Sequence, residues 1–200
     1  MLAHLRAVSR LADTGVADHL LARACAGDAA AREAIYSVLA PAALTLIRRI
    51  VGTRAIAEDI FQDTMMIMYE RLPQFRREAP LGAWLRQIAI SRCLMHLRSP
   101  WRRLRLRLEA EDPGHPWADE SLATPADRGE WIDLERALAT LAPTARAIVW
   151  MYEVEGYSHE EIAREFGRSV SFSKSQLARA HARLRAWLEP HESRQSCTPI

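Results

Sequence analysis

Apolar residues recur along the chain at intervals of three and four, and the strict alternation of a half-buried strand is nearly absent. This spacing predicts helices. Ala17–Cys25 reads as a short one closed by Gly27. Asp28 can cap the next, which runs to Val51 with Gly52 as its stop and a kink expected at Pro41. A third covers Arg54–Leu72 and ends at Pro73. Pro80 then opens a fourth, "LGAWLRQIAISRCLMHLR", which reaches Arg98 before Ser99-Pro100. Further helices are predicted near Trp131–Leu141, Pro143–Val154, Ser158–Phe166 and Ser169–Leu188. Residues 1–16 read as a loosely held leader, and residues 190–200 as a disordered tail with too little apolar surface to order itself.

Between the two groups of helices the composition shifts. "WRRLRLRLEAEDPGHPWADESLATPADRGE" turns from basic to acidic and holds four prolines or glycines within Pro113–Pro125. Residues 99–129 therefore read as a linker between an N-terminal helical domain over 17–98 and a C-terminal one over 130–189. The expected fold class is all-α, two small helical domains joined by a linker.

A net charge of +2 says nothing about partners, whereas its distribution does. From Glu153 to Glu165 there are five acids (Glu153, Glu155, Glu160, Glu161, Glu165) against Arg164. From Arg168 to Leu188 there are five bases (Arg168, Lys174, Arg179, Arg183, Arg185) and no acid. Ser158-His159-Glu160-Glu161 is a capping-box sequence, Ile162, Ala163 and Phe166 form an apolar face, Gly167 permits a left-handed turn, and Ser169 can cap the next helix. Small Ala163 lets a second helix cross close by. That is the pattern of a helix-turn-helix (winged-helix-like) four-helix domain, whose second helix carries positive charge to phosphates and small polar side chains to base edges. An amphipathic helical hairpin with a solvated basic face fits the same spacing.

Other chemistry finds little support. Cys25, Cys93 and Cys197 are scattered, which argues against a disulfide framework or a zinc pair. "HEEIA" begins like a zinc-protease helix, but Ala163 stands where the second ligand belongs. There is no phosphate-binding glycine loop and no Ser/His/Asp arrangement, so neither enzyme activity, cofactor nor metal is expected. No run approaches eighteen apolar residues and no signal peptide is seen; a cytoplasmic chain without membrane contact is expected.

Two stretches together resemble a known family. "LERALATLAPTARAIVWMYEVEGYSHEEIAREFGRSVSFSKSQLARAHARLRAWL" is similar to the C-terminal DNA-binding domain of bacterial sigma factors of the extracytoplasmic-function group, through Glu155-Gly156, Ser158, Glu161-Ile162-Ala163, Gly167, Lys174-Ser175, Leu177, Arg179-Ala180 and Leu184-Arg185. The N-terminal stretch resembles that family's polymerase-binding, promoter-melting domain, through Ala57-Glu58-Asp59 with Gln62, Asp63 and Met65, and through Trp84-Leu85 with Ile88-Ala89.

The resemblance implies a non-catalytic initiation subunit that directs core RNA polymerase to promoters and opens the DNA. Glu58, Asp59, Gln62, Asp63 and Met66 would bind the clamp helices of the largest polymerase subunit, and the C-terminal domain its flap. Phe75, Arg76, Arg77, Trp84, Gln87, Ser91 and Arg92 would serve melting at the minus-ten element, with Trp84 equally fit for the core. Ser171, Phe172, Lys174, Ser175, Gln176 and Arg179 would face the minus-thirty-five element. An anti-sigma factor is the further implied partner. The chain departs from the family at Ser91, Met95, Phe172 and Ser173. With Ser173 in an aliphatic place, either Phe172 turns inward or it meets a thymine methyl. A stand-alone helix-turn-helix regulator and a sigma-like interaction protein without promoter opening remain as alternatives.

Overall fold

The structure, a computed structural model, describes residues 11–99 and 136–195, in which every regular element is a helix. These residues divide into two units, 11–99 and 136–195.

In the first unit, α1 (Asp18–Cys25) leads through Gly27 into α2 (Ala29–Val51). Asp28 caps α2 by accepting from the N–H groups of Ala30 (2.9 Å) and Ala31 (3.2 Å). The Arg23 guanidinium, together with these amides, holds the Asp28 carboxyl below its ordinary range. Gly52 ends α2 in the left-handed conformation, φ 73°, which lets the chain reverse into α3 (Arg54–Arg71). A 3₁₀ turn, Leu72–Gln74, and an exposed loop lead to α4 (Leu81–Arg98). Helices α2, α3 and α4 pack on one another around Ile35, Leu39, Ile47, Met68, Leu85 and Leu94.

Pro41 lies inside α2, which runs to Val51 as its spacing predicts. In this unit the structure departs from the sequence expectations in two ways. By length and hydropathy α2 is apolar enough to cross a membrane, which the count of consecutive apolar residues does not foresee. Its Ala31, Ile35, Leu39, Ala43, Ile47 and Ile50 are nevertheless buried against neighbouring helices, as in the core helix of a globular domain. The expected loose leader is ordered from Leu11, where a 3₁₀ turn, Leu11–Asp13, packs on α4. The reason is local: Leu11 is buried, and Gly82 lacks the Cβ that would strike the Leu11 carbonyl.

The second unit holds helical residues 136–139, then α5 (Pro143–Glu153), α6 (His159–Phe166) and α7 (Val170–Gln195). Trp150 fills its centre, and its indole N–H donates to Oε1 of buried Glu155 at 3.3 Å. Gly156 follows at φ 73°, turning the chain toward α6. Helix α7 does not end at Leu188 but continues past Pro190 to Gln195, since extending a formed helix is far easier than nucleating one. No strand is found among the described residues. The expected linker from residue 100 on, Trp117, Cys197 and the start of the helix predicted at Trp131 lie outside the described residues.

Candidate functional site

The first surface lies on α3. Ala57, Ile60, Phe61, Thr64, Met65 and Met68 turn inward, with Ile56 half-buried. The 3.6-residue period then brings Glu58, Asp59, Gln62, Asp63 and Met66 to one outward stripe. Met66, 61% exposed, is the most exposed large apolar side chain described. Two acids on this stripe, Glu58 and Asp63, have partners that sequence spacing only partly foretells. Arg54, one turn earlier, donates from Nε to Glu58 at 2.8 Å, and Arg48 of α2 stands 4.0 Å from the same carboxylate. Asp63 accepts from Arg92 of α4, 29 positions away and beyond reach of any local pattern. That pair joins a residue expected to face polymerase to one expected to face DNA.

The second surface begins in the loop before α4. Phe75 and Trp84, both half-buried, pack with ring centroids 5.0 Å apart and planes at 36°. Trp84 is thus neither in the core nor free. Its apolar neighbours Leu81 and Leu85 take the core positions. Arg76 and Arg77 are exposed; Arg76 is 3.9 Å from Glu78, and both side chains of that pair are more than three-quarters exposed. Arg77 has φ 57°, the single non-glycine residue in the left-handed region among those described. On α4, Trp84, Gln87, Ser91 and Met95 fall at i, i+3, i+7 and i+11 and share one face, with Arg92 at its edge. Gln87, Ser91 and Met95 are exposed.

The third surface is the helix-turn-helix. Ser158 Oγ accepts from the Glu161 N–H (3.1 Å) while Glu161 accepts from the Ser158 N–H (2.8 Å), which completes the capping box of α6. Gly167 takes φ 60° at the turn, and Ser169 Oγ accepts from the Phe172 N–H at 3.2 Å, capping α7. Ser173, Leu177, Ala180 and Leu184 form the buried stripe of α7. Opposite it lie exposed Ser171, Lys174, Ser175 and Arg179, with Gln176 half-buried at the side. Phe172 takes the inward orientation, half-buried with its ring 6.2 Å from Phe166. Buried Ser173 leaves no orphaned hydroxyl: Oγ lies 3.0 Å from His159 Nδ1, and the His159 ring stacks on Tyr152 at 4.6 Å. Sequence spacing shows neither contact.

Three exposed faces, one acidic and two carrying cations beside aromatic or small polar groups, suit a protein partner and nucleic acid rather than a small substrate. Residues 35–103 match the model for sigma-70 region 2, and residues 131–184 that for sigma-70 region 4. The ECF RNA polymerase sigma factor SigM of Mycobacterium tuberculosis is 32% identical over 82% of this chain and 81% of its own length. The chain belongs to the extracytoplasmic-function sigma factor family. The RNA polymerase sigma-E factor of Streptomyces avermitilis is similar at 33% identity over 76% of this chain and 81% of its own. A solved structure of the sigma factor RpoE of Bartonella quintana, in complex with the anti-sigma factor NepR, shares the fold with a TM-score of 0.51 at 23% identity, over 78% of this chain and 96% of that one. As a sigma factor, the chain directs core RNA polymerase to promoters for transcription initiation. Its relatives are transcription factors.

Proposed function

We propose that this sigma factor divides its work among the three faces. The stripe Glu58, Asp59, Gln62, Asp63 and Met66 docks on the polymerase clamp helices, where negative charge and an exposed thioether meet a basic, apolar partner. The second surface serves strand opening: Phe75 and Trp84 offer flat rings for an unpaired base, Arg76 and Arg77 follow the backbone, and Gln87, Ser91 and Arg92 line the adjoining helix. The outer face of α7 reads the distal promoter element, with Lys174 and Arg179 on phosphates and Ser171, Ser175 and Gln176 near base edges. Phe172, turned toward Phe166, supports that face rather than reading from it.

The observation that carries this reading is the separation of charge by fold: acids stand outward on α3, while the helix after the Gly167 turn exposes bases and no acid among residues 170–187. An anti-sigma factor that covers these faces is the proposed regulatory partner, and the cytoplasm, where polymerase and promoters are found, the proposed location. The chain acts by binding and placing DNA, with no catalytic group or cofactor of its own.

Run-off transcription with purified core polymerase tests the division. Glu58→Lys with Asp63→Lys is expected to abolish polymerase capture and transcription together. Lys174→Ala with Arg179→Ala is expected to spare capture and weaken promoter binding, with little dependence on promoter sequence. Capture that survives the double charge reversal would overturn the α3 assignment.

A further inference from the structure

Among the described residues the buried stripe of α7 contains one polar side-chain atom, the Ser173 hydroxyl, on a residue with 0% exposure. A buried hydroxyl without a partner is costly, so its partner is part of the fold. That partner is His159, the first residue of α6, with Nδ1 3.0 Å from Ser173 Oγ. Either Ser173 donates to a bare Nδ1 or a protonated Nδ1 donates to Oγ. The imidazole is held in turn by its stack on Tyr152 of α5, 4.6 Å between centroids with planes at 22°. One side chain thus links three helices of the unit.

We propose that the His159–Ser173 contact is a positioning latch that sets the rotation of α7 about its own axis, and with it which side chains meet the distal promoter element. The inference rests on the assignment of α7 to that element. Apolar contacts such as those of Leu177, Ala180 and Leu184 are non-directional and permit a helix to roll slightly, whereas a hydrogen bond is directional. On a helix of roughly 5–6 Å outer radius, a roll of about 20° carries a side-chain tip by ~2 Å. That displacement breaks a hydrogen bond to a base edge. Ser171, Lys174 and Ser175 lie within two residues of Ser173, so the latch acts where rotation matters most.

The experiment uses the full chain in holoenzyme with core polymerase, and a promoter recovered by selection from random-sequence DNA. Its readout is the ratio of transcription from that promoter to transcription from variants with single changes in the distal element. Ser173→Ala and His159→Phe, which keeps a ring to stack on Tyr152, are each expected to lower this discrimination about fivefold, the factor to which one hydrogen bond's net worth corresponds. The double variant is expected to lose no more than either single one. His159→Asn, whose amide can occupy the place of Nδ1, is expected to restore most of the loss. Unchanged discrimination in both single variants would overturn the latch, as would losses that multiply in the double variant. A loss that follows the melting temperature across the whole set, including His159→Asn, would also overturn it by making the contact merely structural. Ser175→Ala with Gln176→Ala separates the latch from its premise: if that change leaves discrimination intact, α7 does not read the element; if it removes discrimination while His159→Phe does not, only the latch fails.

Discussion

Gly82→Ala isolates the contact that ties the N-terminal turn to α4. A Cβ on Gly82 would lie 2.1 Å from the Leu11 carbonyl oxygen and 2.8 Å from that of Thr14. Both obstacles are backbone, so no side-chain rotation relieves them. Either the 3₁₀ turn lifts from α4 or the start of α4 moves. Lifting the turn exposes Leu11, now 1% exposed, at a cost of about 1.5–3 kcal/mol. Against this, alanine favours a helix over glycine by about 0.8–1 kcal/mol. The difference is a destabilisation of about 0.5–2 kcal/mol, and for a unit of this size it lowers the melting temperature by about 2–16 °C. Scanning calorimetry of the full chain would read it. Leu11→Ala gives the burial term without the clash, and adding Gly82→Ala to it is expected to cost little more, because both act through one contact. A melting temperature raised by Gly82→Ala would refute the reasoning, since helix propensity alone would then have governed the site.

Two further outcomes arise from the same geometry. If Lys174, Arg179, Arg183 and Arg185 each neutralise a phosphate, DNA affinity of the holoenzyme's distal contact falls roughly hundredfold between 50 and 200 mM salt, and Arg179→Ala reduces the logarithmic salt slope by about one; titration by fluorescence anisotropy measures both. Burial pushes the Cys93 thiol well above its ordinary range, so it is expected to stay protonated and unreactive to thiol reagents at pH 8 until the chain is unfolded, as timed labelling with and without denaturant would show.

Local rules made the second unit readable. A capping box, a left-handed glycine and a change of charge sign all lie within a dozen residues, and each is decided by neighbours in sequence. The outward stripe of α3 was readable for the same reason, being a matter of helical period. What escaped depends on chain-distant approach. Leu11 and Gly82 are paired because a backbone fits where a side chain would not, which neither residue announces alone. Ser173 reads as a packing fault until His159 is seen fourteen positions earlier. The same holds for Arg92, for which the family resemblance implies a DNA contact but whose guanidinium binds Asp63 on another helix.

That last pair bears on how an acidic face with two of its carboxylates engaged could serve as the docking surface proposed above. The side chains of Asp63 and Arg92 are 52% and 29% exposed, and those of Glu58 and Arg54 are 44% and 71% exposed. Pairs this accessible to water contribute about 0.2–1 kcal/mol each, so surrendering both to a basic partner costs at most about 2 kcal/mol. Neutralising one acid therefore has a small effect: Asp63→Asn loses an attraction to the partner but removes a pair that docking would have to break, and polymerase affinity is expected to fall less than about fivefold. Reversing charge differs in kind, because a lysine at 58 or 63 would face the basic partner proposed for this stripe and would also stand beside Arg54 or Arg92 of its own chain. Asp63→Lys is accordingly expected to weaken capture far more than Asp63→Asn, with the gap narrowing as salt is raised from 50 to 500 mM. Equal losses from the two substitutions, or a gap that salt leaves unchanged, would show that shape rather than charge governs this face.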